Sequence, residues 1–123
     1  TIPVIAPIAT DSEGQTWNVN ADTAASEIAG ALKAEKLVFM TDTPGLLRDV
    51  NELSSLIHQL KVSEIQELTD RGVIAGGMIP KVAACQNALE HGVQKAHIID
   101  GRVTHALLLE IFTQSGLGTL VMH

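Results

Sequence analysis

The strongest constraint on the fold is a set of short aliphatic blocks that do not alternate with polar residues. Leu37-Val38-Phe39-Met40, Ala96-His97-Ile98-Ile99 and Leu120-Val121-Met122 are each closed by polar residues or glycine. A strand with one wet face alternates, so a continuous apolar block predicts a strand covered on both faces, as in a parallel sheet under helices. Between the blocks the apolar period changes. Ala24, Ala25, Ile28, Ala29 and Leu32 follow Asp22 at helical spacing, and helices are predicted from about 63 to 72, 81 to 90 and 104 to 113, the last stopped by Ser115, Gly116 and Gly118. Strands alternating with helices predict an α/β fold with a mainly parallel sheet and helices on both faces. The loops after the strands should gather along one edge of that sheet.

Several classes of function drop out on composition. At 123 residues one domain, 1–123, is expected, and 46% hydrophobic against 18% charged residues predicts folding rather than disorder. No apolar run approaches the roughly 18 residues of a membrane span, so no membrane role is expected. Eight basic against fourteen acidic residues, net charge −6 and no Lys/Arg cluster argue against nucleic acid. Three aromatic side chains, Trp17, Phe39 and Phe112, make no stacking platform. One cysteine, Cys85, permits no internal disulfide and suits a reducing compartment. No leader-like segment is evident, and because the first residue is Thr1 rather than Met, the start of the natural chain is expected to lie outside this sequence.

Polar residues concentrate at three strand or helix ends. Ile2 to Ile8 reads as a strand paired on one side or with frayed ends, then a turn at Asp11 to Gly14 and an extended return over Gln15 to Val19. On that return Trp17-Asn18-Val19-Asn20-Ala21-Asp22 runs into a helix start. Asn and Asp there suit either a simple N-cap or a pocket in which carboxamides meet a ligand carboxylate and Asp22 holds a cation. Thr41-Asp42-Thr43-Pro44-Gly45 is a strand-end loop that binds a nucleotide or only turns. Ser63 with Gln66 has capping-box spacing. Gly76-Gly77-Met78-Ile79-Pro80-Lys81 is a flexible loop that delivers a lysine to a first helical turn, against the dipole. An anion bound by main-chain N–H groups and the ammonium would explain the placement, and an ordinary exposed lysine is the alternative. His97, Asp100, Arg102, His105 and Glu110 lack metal-ligand spacing, so no protein-held metal is expected. His58, His91 and His123 read as surface residues and Cys85 as a small core side chain.

Taken in order, these segments resemble the C-terminal part of the acetylglutamate kinases, a branch of the amino acid kinase family. The likeness continues through His97-Ile98-Ile99-Asp100-Gly101-Arg102 and His105-Ala106-Leu107-Leu108-Leu109-Glu110-Ile111-Phe112 to Gly116-Leu117-Gly118-Thr119. It implies phosphoryl transfer from ATP, with Mg2+ carried by the nucleotide, to the γ-carboxylate of N-acetyl-L-glutamate in arginine biosynthesis. On that likeness Lys81 and Asp22 are catalytic, and Asn18 and Asn20 bind substrate. Thr41, Asp42, Gly45, Gly76, Gly77 and Met78 line ATP. His97, Glu110 and Gly116 match the residues that contact arginine in the feedback-inhibited type. An unpaired Glu110 amid leucines would be costly to bury, which a guanidinium partner would offset. The family's N-terminal half, with its glycine-rich phosphate grip, second lysine and substrate lid, is absent from this chain, so the chain alone should be inactive. The alternative is a non-catalytic module that senses arginine or docks a regulator such as the PII signalling protein. A full-length homo-oligomer in the cytoplasm, or in the plastid stroma of a plant or alga, is the corresponding expectation.

Overall fold

The computed structural model describes residues 1–113 and 116–123, so the Ser115 part of the expected helix stop lies outside the described residues. Two strands, β1 (Ile8–Thr10) and β2 (Thr16–Asn18), form an antiparallel hairpin that leads into α1 (Ala21–Ala31). There follow β3 (Lys36–Thr41), β4 (Gln59–Lys61), α2 (Ile65–Asp70), α3 (Met78–Glu90), β5 (Lys95–Asp100), α4 (Ala106–Phe112) and β6 (Thr119–Met122). Short 3₁₀ turns occupy Leu53–Ser55 and Val62–Glu64.

The four later strands form one sheet in the order β3-β5-β6-β4. β3 runs parallel to β5 and β4 parallel to β6, while β5 and β6 are antiparallel, so two of three ladders are parallel. Period-2 alternation divides the sheet into two faces. On one, Phe39, Ala96, Ile98 and Val121 pack against Val82, Cys85 and Leu89 of α3. On the other, His97 lies under α4, and Met40 remains about half exposed. Helices thus flank both faces, α1 and α3 on the first and α4 on the second.

Helices α1 and α3 run in the same direction. Asp22 meets Lys81 at their N-terminal ends, Asn87 donates to Ser26 at 3.2 Å in the middle, and Gly30 packs against His91 at their C-terminal ends. A Cβ on Gly30 would come within 2.8 Å of that of His91, so the glycine permits the close approach. Both helix N-termini, and their partial positive charges, point to one end of the domain, where β3 and β5 finish.

Three local expectations need correction, and one strand has no counterpart among them. Residues 2–6 form no strand and are exposed, because Pro3 and Pro7 remove ladder donors and only Ile8 onward pairs. Strand β4 carries no periodic signal, since Leu60 alone of its three residues is buried. The cap before α2 uses Glu64, whose carboxylate accepts the Lys61 N–H at 2.9 Å, rather than Ser63 and Gln66. Helix α3 starts at Met78, three residues before Lys81, because Pro80 still falls in the first turn where no N–H is required of it.

Candidate functional site

A cavity of about 670 Å³ opens at the ends of β3 and β5. Its polar wall is Thr41, Asp42 and Thr43 after β3, Arg102 after β5, and Gly77, Met78 and Lys81 at the start of α3. Its apolar wall includes Pro44, Leu47, Val50, Leu53 and Val73. The strand-end loop is rigidly folded. Thr41 donates through Oγ1 to the Thr43 carbonyl at 2.9 Å and accepts the Thr43 N–H at 3.1 Å. Leu46 donates its N–H to the buried Oγ1 of Thr119 at 2.9 Å, tying that wall to β6. Gly45 has φ +139°, and a Cβ there would meet Thr119 Oγ1 at 2.8 Å, so the close passage needs glycine.

Lys81 Nζ donates to Asp22 Oδ2 at 3.0 Å, joining residues 59 positions apart. The two side chains are about one-quarter and one-fifth exposed, so the pair stands at the cavity edge and is not sealed in the core. Asp22 lies in the first turn of α1 and so meets its dipole favourably, while Lys81 stands against the dipole of α3. The carboxylate therefore holds the ammonium at the meeting point of two helix N-termini. A transferring phosphoryl group would find there one fixed cation and two sets of positive helix ends.

The two asparagines are used differently. Asn20 caps α1, its Oδ1 accepting the Thr23 N–H at 3.1 Å, which leaves its NH₂ group as the part able to meet a ligand. Asn18 stands exposed at the end of β2 with no side-chain hydrogen bond among the described residues. Gly76, with φ +54°, is exposed beside Gly77 and does not line the cavity itself.

His97, Glu110 and Gly116 meet elsewhere, at a second cavity of about 320 Å³ lined also by Lys36, Lys95 and His58. Glu110 is 4% exposed and is not unpaired: Oε1 takes His97 Nδ1 at 2.5 Å and lies 3.6 Å from Lys36 Nζ, and Oε2 accepts the Leu117 N–H at 2.8 Å. The expected need for an outside guanidinium is thus met internally. Nor is α4 buried among its leucines, since Leu107, Leu108, Ile111 and Phe112 are exposed and only Ala106 and Glu110 face inward. Burial holds the His97 pKa below the ordinary imidazole value despite the Glu110 charge, with Lys36 and Lys95 adding to the depression. A neutral ring donating through Nδ1 leaves Nε2 as an acceptor, and this buried nitrogen has no partner among the described residues. Cys85 is fully buried, and desolvation pushes its thiol up to about 12, which makes it inert packing. Among the described residues no three His, Cys, Asp or Glu side chains cluster to hold a metal.

Arg102 and Asp100 had no role in the sequence reading beyond a discarded metal set. The structure joins them in a two-bond pair, Nε to Oδ1 at 2.9 Å and Nη2 to Oδ2 at 2.8 Å. The signal in the sequence was a strand-end Asp-Gly-Arg turn.

Comparison with known proteins places this geometry in context. The amino acid kinase family model matches residues 1–100. Acetylglutamate kinase of Acaryochloris marina is 58% identical over 120 residues, covering 98% of this chain and 42% of that protein. Acetylglutamate kinase of Methanobrevibacter smithii is 54% identical over 120 residues, covering 98% and 41%. The chain therefore spans about two-fifths of the length of the curated relatives it matches. Among solved structures, N-acetylglutamate synthase from Neisseria gonorrhoeae complexed with coenzyme A and L-arginine superposes with TM-score 0.84 and 31% identity, over 96% of this chain and 27% of that one. Carbamate kinase from Giardia lamblia bound to AMP-PNP, at 21% identity, shares the fold with TM-score 0.68 over 94% of this chain and 40% of its own.

Proposed function

The chain belongs to the amino acid kinase family, and from that premise we propose that it is the nucleotide-side part of an acetylglutamate kinase, which moves the γ-phosphoryl group of ATP to the γ-carboxylate of N-acetyl-L-glutamate. The observation that carries this reading is the Lys81–Asp22 pair at two converging helix N-termini, on the edge of a cavity of nucleotide size. Phosphoryl transfer to a carboxylate needs no protein nucleophile, because the acceptor oxygen attacks; it needs reactants in line and charge neutralised.

The residues divide that work. Lys81 donates to the equatorial oxygens of the transferring group, and Asp22 keeps its ammonium in place. The apolar wall at Pro44, Leu47, Val50, Leu53 and Val73 suits a base, and Thr41, Asp42, Gly45, Gly77 and Met78 suit ribose and phosphates. Gly76 acts through the path of the loop, since it does not line the cavity. Asn18 and the NH₂ of Asn20 are the donors for the acetylated substrate. Magnesium would be carried by the nucleotide and would supply neutralisation of phosphate charge there. The test is Lys81→Ala in the full-length protein. The expected result is a kcat loss of about 10² or more with a smaller change in ATP affinity, as for a contact made mainly in the transition state. An unchanged kcat returns Lys81 to an ordinary surface lysine.

A second reading rests on the other cavity. Buried Glu110, the Nε2 of His97 without a partner among the described residues, and an open approach at Gly116 support an effector site for L-arginine. A Cβ on Gly116 would sit 3.5 Å from Glu110 Oε2, in the space a guanidinium would use. The Neisseria synthase, whose structure holds L-arginine, is a relative of the same fold. Homo-oligomer assembly and docking of the PII signalling protein are carried by the family resemblance alone and belong to the whole protein.

A further inference from the structure

Within that kinase reading, we propose that Arg102 is a nucleotide-binding residue, that its free guanidinium edge holds the phosphates that stay with the departing ADP, and that Asp100 is the positioning residue that aims it. The cavity has two lining cations, Lys81 and Arg102, and the first is already shared with Asp22. A nucleoside triphosphate brings several negative charges, so one shared ammonium leaves most of them unmet.

The geometry around Arg102 is built for orientation. Asp100 ends β5 and is mostly buried, while the Arg102 side chain is 63% exposed at the cavity mouth. Asp100 Oδ1 also accepts the Arg102 backbone N–H at 2.9 Å, so carboxylate, backbone and guanidinium form one closed unit. Gly101 anchors the unit by donating its N–H to the Thr41 carbonyl at 2.8 Å. A Cβ on Gly101 would press on Met40 Cβ and the Thr41 carbonyl, both at 3.3 Å, so the turn lies tight against the end of β3. Hydrogen bonds from Arg102 hold the Asp100 carboxyl at about 2, which keeps the pair intact across the working pH range.

An exposed ion pair of this kind adds little stability. What it supplies is a fixed fork. A guanidinium has five N–H donors, Asp100 takes two, and the remaining edge is directed away from Asp100. Asp42 is close enough to add to the attraction on Arg102 but makes no hydrogen bond to it among the described residues, so the free edge stays open to a stronger acceptor. Phosphate oxygens are that acceptor, and a pre-aimed fork loses less side-chain freedom on capturing them.

The test uses steady-state kinetics of the full-length kinase. Arg102→Ala should raise the KM for ATP and the inhibition constant of ADP by about 10- to 100-fold, the loss of one charge-assisted contact, with kcat within about threefold. Adenosine as a competitive inhibitor should be unaffected, which also reports an intact fold. Arg102→Lys should recover only part of the loss, and Asp100→Asn should raise the KM for ATP with kcat spared. An Arg102→Ala protein with parental KM for ATP, or one that loses adenosine as strongly as ADP, overturns the proposal while leaving the kinase reading in place. A parent protein that neither binds ADP nor turns over removes both.

Discussion

Replacing Glu110 by glutamine tests whether the carboxylate under α4 is held by its own neighbours. The substitution keeps shape and volume. Glutamine's carbonyl oxygen can still accept the Leu117 N–H, so that contact survives as a neutral bond worth about 1 kcal/mol where the charged one is worth about 1.5–3 kcal/mol. On the other side an NH₂ group would face His97 Nδ1 and force the ring into its other tautomer, placing an N–H on the buried Nε2, which has no acceptor among the described residues. An orphaned buried donor costs about 1–3 kcal/mol. Lys36, 3.6 Å away and partly exposed, adds at most about 0.5 kcal/mol. Relief of the carboxylate's desolvation acts in the opposite direction. The net expectation is a loss of about 1–3 kcal/mol, read as a lower urea midpoint at unchanged slope at pH 7.5. A variant as stable as its parent would refute the internal pairing of Glu110 with His97 and the Leu117 N–H.

Three further tests address separate parts of the structure. Because burial depresses the His97 pKa, the unfolded chain takes up its proton first; the His97 contribution is complete above about pH 6.5 and declines as pH falls below it. The urea midpoint should therefore drop less between pH 7.5 and 5.5 in His97→Gln than in the parent, and equal slopes would contradict the assignment. Asn20→Ala should lower unfolding free energy by about 1 kcal/mol through the lost cap of α1, whereas Asn18→Ala should leave the urea midpoint unchanged and raise the KM for N-acetylglutamate. Thr119→Val should cost about 1–3 kcal/mol by stranding the Leu46 N–H, and ADP titration should weaken with it because Leu46 belongs to the cavity wall.

The strands legible in the sequence were those built of consecutive apolar residues. Strands β3, β5 and β6 showed as apolar blocks because helices cover them or their neighbours, while β4, with Gln59 and Lys61 exposed beside Leu60, carried no such pattern and exists through its pairing with β6. At Ile2 to Ile8 apolar content misled, since the two prolines limit pairing to the last residues. For the site, residue types at strand and helix ends marked Asp22, Lys81 and the Thr41 loop. Their meeting across 59 positions depends on the parallel packing of α1 and α3, a tertiary relation that no local period encodes. Glu110 was misjudged for the same reason: its partners His97 and Lys36 come from β5 and β3, and the leucines around it in sequence point elsewhere in space. Arg102 stayed hidden because an exposed arginine is ordinary, and only the fork closed by Asp100 sets it apart.

The position of β6 has a consequence for how the protein is made. β6 is the last in chain order of the six strands among the described residues, yet it lies between β5 and β4, and β4 pairs with no other described strand. On the ribosome, residues 59–61 must wait unpaired until Thr119–Met122 emerges, about sixty residues later, or several seconds at ordinary elongation rates. Through that interval the Leu46 N–H also lacks its Thr119 acceptor, so the cavity wall is unfinished while α1, β3, α3 and β5 can already assemble. Emergence of Thr119–Met122, rather than formation of the helices, then completes the wall of that cavity.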